Sequence, residues 1–386
     1  MANMTSKERI LAAIRGNVTD MVPVSPRMGY PLIKKYGNTS LDSYIKFQKE
    51  YDYDIMFISN NGLPNPIDNH ASIDIPYAKD AKANKREWQE EDLKVIERTI
   101  QTPAGILKDI TKIAPSGREY GLNPNPIVVE PLIKDRSDLE KLQYLLPDPS
   151  KHCNFDYYFE NVKQLGDRGV VQVCIRSPID HMAGIARGME QLMVDYYEDK
   201  ELFNDIISFF MKRTIEETRI SLEAGVDNIF GSWYFTSLSA GWSPKMFREE
   251  FFPLMKEHIS LVHSYNAIYD MYDDVKCMEV MELYGKSGAD ILETLTPPPV
   301  GDVDLAKAKK IIGDKVCLKG YIDLIYVVQL GTPELIRTTI NEAMEIAAPG
   351  GRFIIGNSDS FREDTPWENI EAYFKFAREY GKYPIR

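Results

Sequence analysis

The chain has 386 residues, 44% hydrophobic and 27% charged, which is ordinary for a globular protein and excludes a disordered one. Its formal charge of −12 repels phosphate backbones and anionic lipid surfaces, which argues against nucleic-acid binding. The opening stretch MANMTSKERILAAIRG lacks the apolar run of a signal peptide. No window approaches the ~20 apolar residues that cross a bilayer, so a cytoplasmic location is expected. Cys153, Cys174, Cys277 and Cys317 are widely spaced and form no CxxC pair, as expected of reduced thiols.

In chain order, an ERILAAIRG helix leads into short apolar, β-branched runs that read as strands. They are MVPVSP (21–26), DIMFIS (54–59), VVQVCI (170–175), VDNIFGS (226–232), NAIYDMYD (266–273), ADILETL (289–295), KVCLKGYI (315–322) and RFIIGNS (352–358). From the third run onward, helix-length segments separate them, and alternation of strand and helix implies parallel pairing with right-handed crossovers. Eight such units close most naturally into an α/β (β/α)8 TIM barrel, with its active site at the C-terminal ends of the strands. The rhythm breaks over 62–150, which is rich in proline and turn residues. Within it, 70–135 reads as an excursion carrying an antiparallel hairpin or two. The expected organisation is a single barrel domain over 1–386, with 62–135 as a cover segment inserted after the second strand.

Four segments together resemble the uroporphyrinogen decarboxylase superfamily. They are TSKERILAAIRGNVTDMVPV, GMEQLMVDYYEDKELF, GADILETLTPPPVGDVDLAKAKKIIGDKVCLKGYID and APGGRFIIGNSDSFREDTPWENIEAYFKFAREYGKYP. The resemblance implies a (β/α)8 barrel and covers nearly all of the chain except the excursion. It leaves the reaction open, because one fold hosts many chemistries. The decarboxylases of this superfamily carry an arginine-rich segment after the first strand for a polycarboxylated tetrapyrrole. Here that place reads SPRMGYPLIKKYG, with Arg27 alone. Its zinc-dependent thiol methyltransferases place a His-x-Cys pair at the end of the fifth strand and another cysteine at the end of the eighth. Here those ends read YDMYDDVKC and IIGNSDSF, and His258 and His263 belong to the preceding helix.

PPPVGDVDLA and the acidic fifth-strand end most resemble the substrate-side methyltransferases of anaerobic O-demethylase systems. These take a methyl group from an aryl methyl ether and pass it to the Co(I) of a partner corrinoid protein. Such a reaction needs a stabilised phenolate leaving group, by general acid catalysis or by a Lewis acid. Asp273 and Glu293 are the expected catalytic carboxylates, with Asp274, Asp323 and Asp359 at neighbouring strand ends; crowding raises the pKa of at least one of them. Asp323 also reads as a helix cap. Arg27, Met28, Trp233, Tyr272 and Asn357 are the expected substrate-binding residues, with Tyr30, Tyr234, Phe235, Ser177 and Pro178 near the same mouth. Some relatives are described with a zinc motif of one acidic residue and two cysteines, at the spacing of Glu249, Cys277 and Cys317; Cys317 reads equally well as a core thiol. The competing readings are a decarboxylase of a smaller acid, a methylamine or thiol methyltransferase, and a corrinoid-binding module without catalysis.

Overall fold

The computed structural model describes residues 3–17, 19–67, 75–115, 124 and 126–385, with only the backbone at His181. Parts of the expected excursion, 68–74, 116–123 and 125, lie outside the described residues. Two compact units divide the chain. The first comprises 1–60, 156–174 and 226–386, and the second 61–155 and 175–225.

The strands of the chain, in order, are β1 (Ile55–Ser59), β2 (Lys82–Glu90), β3 (Leu93–Thr102), β4 (Gly105–Ile113), β5 (Ile127–Glu130), β6 (Gly169–Arg176), β7 (Asn228–Ser232), β8 (Ile268–Tyr272), β9 (Ile291–Thr294), β10 (Cys317–Ile322) and β11 (Phe353–Asn357). In the first unit a parallel sheet follows the order β1-β6-β7-β8-β9-β10-β11. The sheet curls, because side chains on strands two apart in this order touch: Gln172 of β6 hydrogen-bonds Asp270 of β8. Its strands are buried on both faces, as parallel strands covered by helices must be.

The segment expected as the first strand forms only bridges. Val24 pairs with Ile355 of β11, Ser25 N–H donates to the Ile355 carbonyl, and Asp54 N–H donates to the Val24 carbonyl. Pro23 and Pro26 explain the difference, since neither has an N–H to give a continuous ladder.

Helix Ser6–Arg15 opens on a capping box, with Thr5 and Glu8 satisfying each other's backbone N–H groups. Its Ile10, Ala13 and Ile14 pack against Met56, Val170, Ile291, Cys317 and Ile354, which lie at or near the starts of their strands. The helix therefore seals the N-terminal end of the sheet. Arg9 ties it down through Asp20 and the fully buried Asp54.

The second unit contains a four-stranded antiparallel sheet in the order β2-β3-β4-β5, more than the hairpin or two expected. A two-residue turn, Glu91-Asp92, joins the first pair, with Glu91 at φ 55. Arg98 and Asp109 form a buried bidentate ion pair across β3 and β4. Helix Lys200–Glu223 and the π-helical stretch Ile179–Gly188 belong to the same unit. Among the described residues no helix is long and apolar enough to cross a membrane.

Candidate active site

Side chains alternate across a strand, and β8 makes the alternation decisive. Asp270 and Tyr272 point to the concave side of the sheet, and Asp274 continues that face beyond the strand end. Asp270 accepts from Gln172 Nε2 at 2.8 Å and stands 4.0 Å from Lys319 Nζ of β10. Asp274 accepts at 3.3 Å from the Thr294 hydroxyl. Tyr269 and Asp273 face the helices instead. The Tyr269 hydroxyl accepts from Trp233 Nε1 at 2.7 Å and lies 2.9 Å from His258 Nδ1, while Asp273 accepts from the Tyr284 hydroxyl and from Asp274 N–H.

This parity corrects two expectations. Asp273 is bound up on the helix side, and the carboxylates that reach the interior are Asp270 and Asp274. Trp233 is fully buried in the same helix-side layer and is not brought to the mouth. His258, in that layer, is held neutral, its pKa pushed down to about 3 by burial. His263 pairs with Asp290 on the surface.

Glu293 of β9 sits where two cations meet. In register it lies directly opposite Lys319 on one side and Tyr272 on the other. One of its oxygens accepts from Lys319 Nζ; the other stands 3.6 Å from Arg27 Nη1. The Arg27 guanidinium lies over the Tyr272 ring at 4.4 Å and near Phe230 at 5.4 Å, and these two rings stack with centroids 5.5 Å apart. Burial opposes the Arg27 charge, but Tyr272, Glu293, Asp359 and Asp274 hold its pKa above the ordinary arginine value.

Asn357 grips the Arg27 backbone from both sides, accepting from its N–H at 2.8 Å and donating to its carbonyl at 3.1 Å. A cavity of about 370 Å³ opens beside these groups, lined by Arg27, Met28, Tyr44, Ile58 and Lys319 among others. The mouth loop is strained, with the β-branched Val275 at φ 62 directly after Asp274. Asp323 caps the next helix, accepting from Ile325 and Tyr326 N–H, and Ser177 accepts from Asp180 N–H.

Burial, and then repulsion by Glu293, push the Asp270 carboxyl up to about 7, against the pull of Lys319, the Gln172 hydrogen bond and Arg27. Burial and Asp359 push Asp274 up to about 6. An unfolded aspartate titrates near about 4. Between that value and about 7 the folded protein keeps a proton on Asp270 that the unfolded chain has lost. Stability therefore falls as pH rises through this window, by an amount on the order of 2–4 kcal/mol. Asp270→Asn should remove that part of the slope, so that the variant gains on the wild type between pH ~5 and ~8. Urea midpoints measured at both pH values test this, and parallel curves for the two proteins reject it.

Glu249, Cys277 and Cys317 do not come together. Glu249 is exposed on the Phe247–Phe251 stretch. Cys317 begins β10 in the apolar layer under the sheet, level in register with Asp270, whereas Cys277 lies seven residues beyond Asp270, past the C-terminal end of β8. Burial raises both thiols, Cys317 to about 12. Among the described residues no group of three His, Cys, Asp or Glu side chains is arranged to hold a metal ion. The trio does not fit zinc, because long sequence spacing ignored the strand register that separates the two cysteines.

Lys319 was missed from sequence, although a lysine inside a strand buried on both faces needs a partner. Asp270 was missed in the same way, two residues before the Tyr272 that was chosen.

A curled parallel sheet with an ionised, aromatic-lined cavity toward its C-terminal ends defines an α/β protein of TIM-barrel type. The chain belongs to the uroporphyrinogen decarboxylase family: residues 96–380 match the family model described as Uroporphyrinogen decarboxylase (URO-D). A uroporphyrinogen decarboxylase from Chlorobium phaeovibrioides is 26% identical over 192 residues, covering 47% of this chain and 50% of that protein. One from Trichodesmium erythraeum is 32% identical over 103 residues, covering 25% of this chain and 28% of that one. The chain thus spans about half the length, or less, of these curated relatives. Among solved structures, a methyltransferase from Methanosarcina mazei shares the fold with a TM-score of 0.64 at 16% identity, covering 98% of this chain and 99% of that one.

Proposed function

We propose that this protein is a corrinoid-linked methyltransferase of the substrate-side kind, taking the methyl group of an aryl methyl ether and passing it to a partner corrinoid protein. In this reading the 21–26 segment is the eighth strand and completes a (β/α)8 barrel. The supporting observation is the meeting of two cations, Arg27 and Lys319, at one buried carboxylate, Glu293, beside a cavity edged by aromatic rings.

The Co(I) centre of the partner, a second substrate here, supplies the nucleophile. When the O–CH3 bond breaks, the electron pair stays on the aryl oxygen. Arg27 and Lys319, both lining the cavity and largely buried, are placed to stabilise that developing negative charge. Glu293 holds both cations in position and offsets part of their charge, which favours an anion that forms during the reaction over one already present. Tyr44 and Phe57, whose rings line the cavity, give an aromatic substrate flat, apolar neighbours. Arg27 alone stands where the tetrapyrrole decarboxylases carry several arginines, so a polycarboxylate lacks its partners.

The Arg27–Lys319 pair also favours a second reading, decarboxylation of a smaller acid, in which the two cations hold the departing carboxylate. One experiment separates the two. The protein is incubated with 2-methoxyphenol or 1,2-dimethoxybenzene and a reduced corrinoid protein. Absorbance of the corrinoid protein reports methyl uptake, and a panel of small aromatic acids is followed for CO2 release. Methyl uptake that depends on the ether supports the proposal; CO2 release without methyl uptake from any ether overturns it.

A further inference from the structure

The concave face holds more ionisable groups than charge stabilisation requires. Asp270 is fully buried, and its Oδ1 has no hydrogen-bond partner among the described residues; the same is true of Glu293 Oε1, Arg27 Nη1 and Gln172 Oε1. Lys319 links these groups to the cavity: it lines the cavity wall, donates to Glu293 and stands 4.0 Å from Asp270. The charged and titratable groups around the pair are Glu293 on β9, Cys317 on β10, Tyr269 on β8 and Arg27 after the bridging segment. Lys319 thus stands between the cavity and Asp270, so that a proton it passes to a ligand can be replaced from Asp270.

We propose that the cavity is a phenol-binding site in which Lys319 donates a proton to the ligand's oxygen and Asp270, acting through Lys319, restores it. The proposal rests on the reading that the mouth receives an aryl oxygen. In the step, an Nζ–H bond of Lys319 breaks and an O–H bond forms on the phenolate, leaving a neutral amine. The Asp270 carboxyl then gives its proton to that amine and becomes a carboxylate beside a restored ammonium. When the phenol leaves, water entering the cavity supplies a proton to Lys319 as Lys319 returns one to Asp270, so no oxidant or further reactant is involved. The raised titration of Asp270 fits this role, since the carboxyl keeps its proton close to neutral pH. Lys319 is the catalytic residue of the pair and Asp270 a positioning residue.

The test uses 4-nitrophenol, whose absorbance reports its own ionisation, bound to the full-length protein without corrinoid or methyl donor. In the wild type the bound ligand should ionise in two coupled steps, unlike the single step of free 4-nitrophenol. Asp270→Asn should leave one step while keeping the ligand bound. Lys319→Met should weaken binding of the phenolate form by about tenfold or more, and Lys319→Arg should restore the affinity but not the second step. 4-Nitroanisole, which has no ionisable hydroxyl, should show no step. No binding of 4-nitrophenol by the wild type, or the same titration in Asp270→Asn and wild type, overturns the proposal. Because the wild-type titration needs no variant to fold, the result stands even if Lys319→Met is unstable. A correct titration without methyl transfer rejects only the proposed reaction; methyl transfer with an unchanged Asp270→Asn titration rejects only the proton relay.

Discussion

Replacing Glu293 by alanine is expected to destabilise the protein by about 3–5 kcal/mol, the range found when one member of a buried ion pair is removed. Glu293 is 2% exposed and is the closest acidic partner of both Arg27 and Lys319, whose side chains are 22% and 5% exposed. Without it the two largely buried cations lose the carboxylate that both contact. Asp270 offers partial relief. With the repulsion of Glu293 gone its pKa falls, and the carboxylate that then forms stands 4.0 Å from Lys319. The loss should therefore be greater at pH ~5 than at pH ~8, where the Asp270 carboxylate supplies part of the missing charge. Glu293→Gln keeps the shape and one acceptor for Lys319, so it should cost less than alanine at both pH values. Thermal and urea midpoints of the two variants check the order wild type, glutamine, alanine. A Glu293→Ala protein as stable as the wild type would show that Arg27 and Lys319 do not depend on this carboxylate.

The sheet was legible in the sequence because its strands are short apolar runs with helix-length gaps, and seven of the eight runs align with β1 and β6 to β11. The exception, 21–26, carries its own explanation in Pro23 and Pro26. The antiparallel sheet is hard to read because β2 to β4 interleave apolar with charged or polar residues, as in KANKREWQE, and β5 offers only three apolar residues in a row. The site was legible in part. Arg27, Met28, Tyr272 and Glu293 do meet around the mouth, and Asn357 holds the Arg27 backbone in place. What failed was the choice among residues at a strand end. Nearness to the C-terminus selected Asp273, whereas the period of two along NAIYDMYDD groups Asp270, Tyr272 and Asp274 on one face. The same count places Lys319 on the face of Cys317, one layer closer to the mouth. Register between strands, which decides that Cys277 and Cys317 stand at opposite ends of the sheet, has no counterpart in linear spacing.

Gly320→Ala should be among the most damaging single substitutions in the chain, costing about 3 kcal/mol or more. Gly320 lies in β10 directly after Lys319, at φ 122, a conformation that side chains rarely adopt. A Cβ there would overlap the carbonyl oxygen of Thr294, its register partner on β9. The obstacle is backbone, not the end of a flexible side chain, so β9 and β10 must move apart to relieve it. That movement separates Lys319 from Glu293, the neighbouring pair in the same register. Gly350→Ala is the matched control: Gly350 has φ 79, but nothing lies within 4 Å of a Cβ built there. It should lose only about 1 kcal/mol, for the backbone conformation alone. If the two variants melt together, the close approach of β9 and β10 is not what holds this part of the sheet. If Gly320→Ala melts well below Gly350→Ala and also loses affinity for 4-nitrophenol, packing of the two strands and placement of Lys319 are one requirement, met by the missing side chain at Gly320.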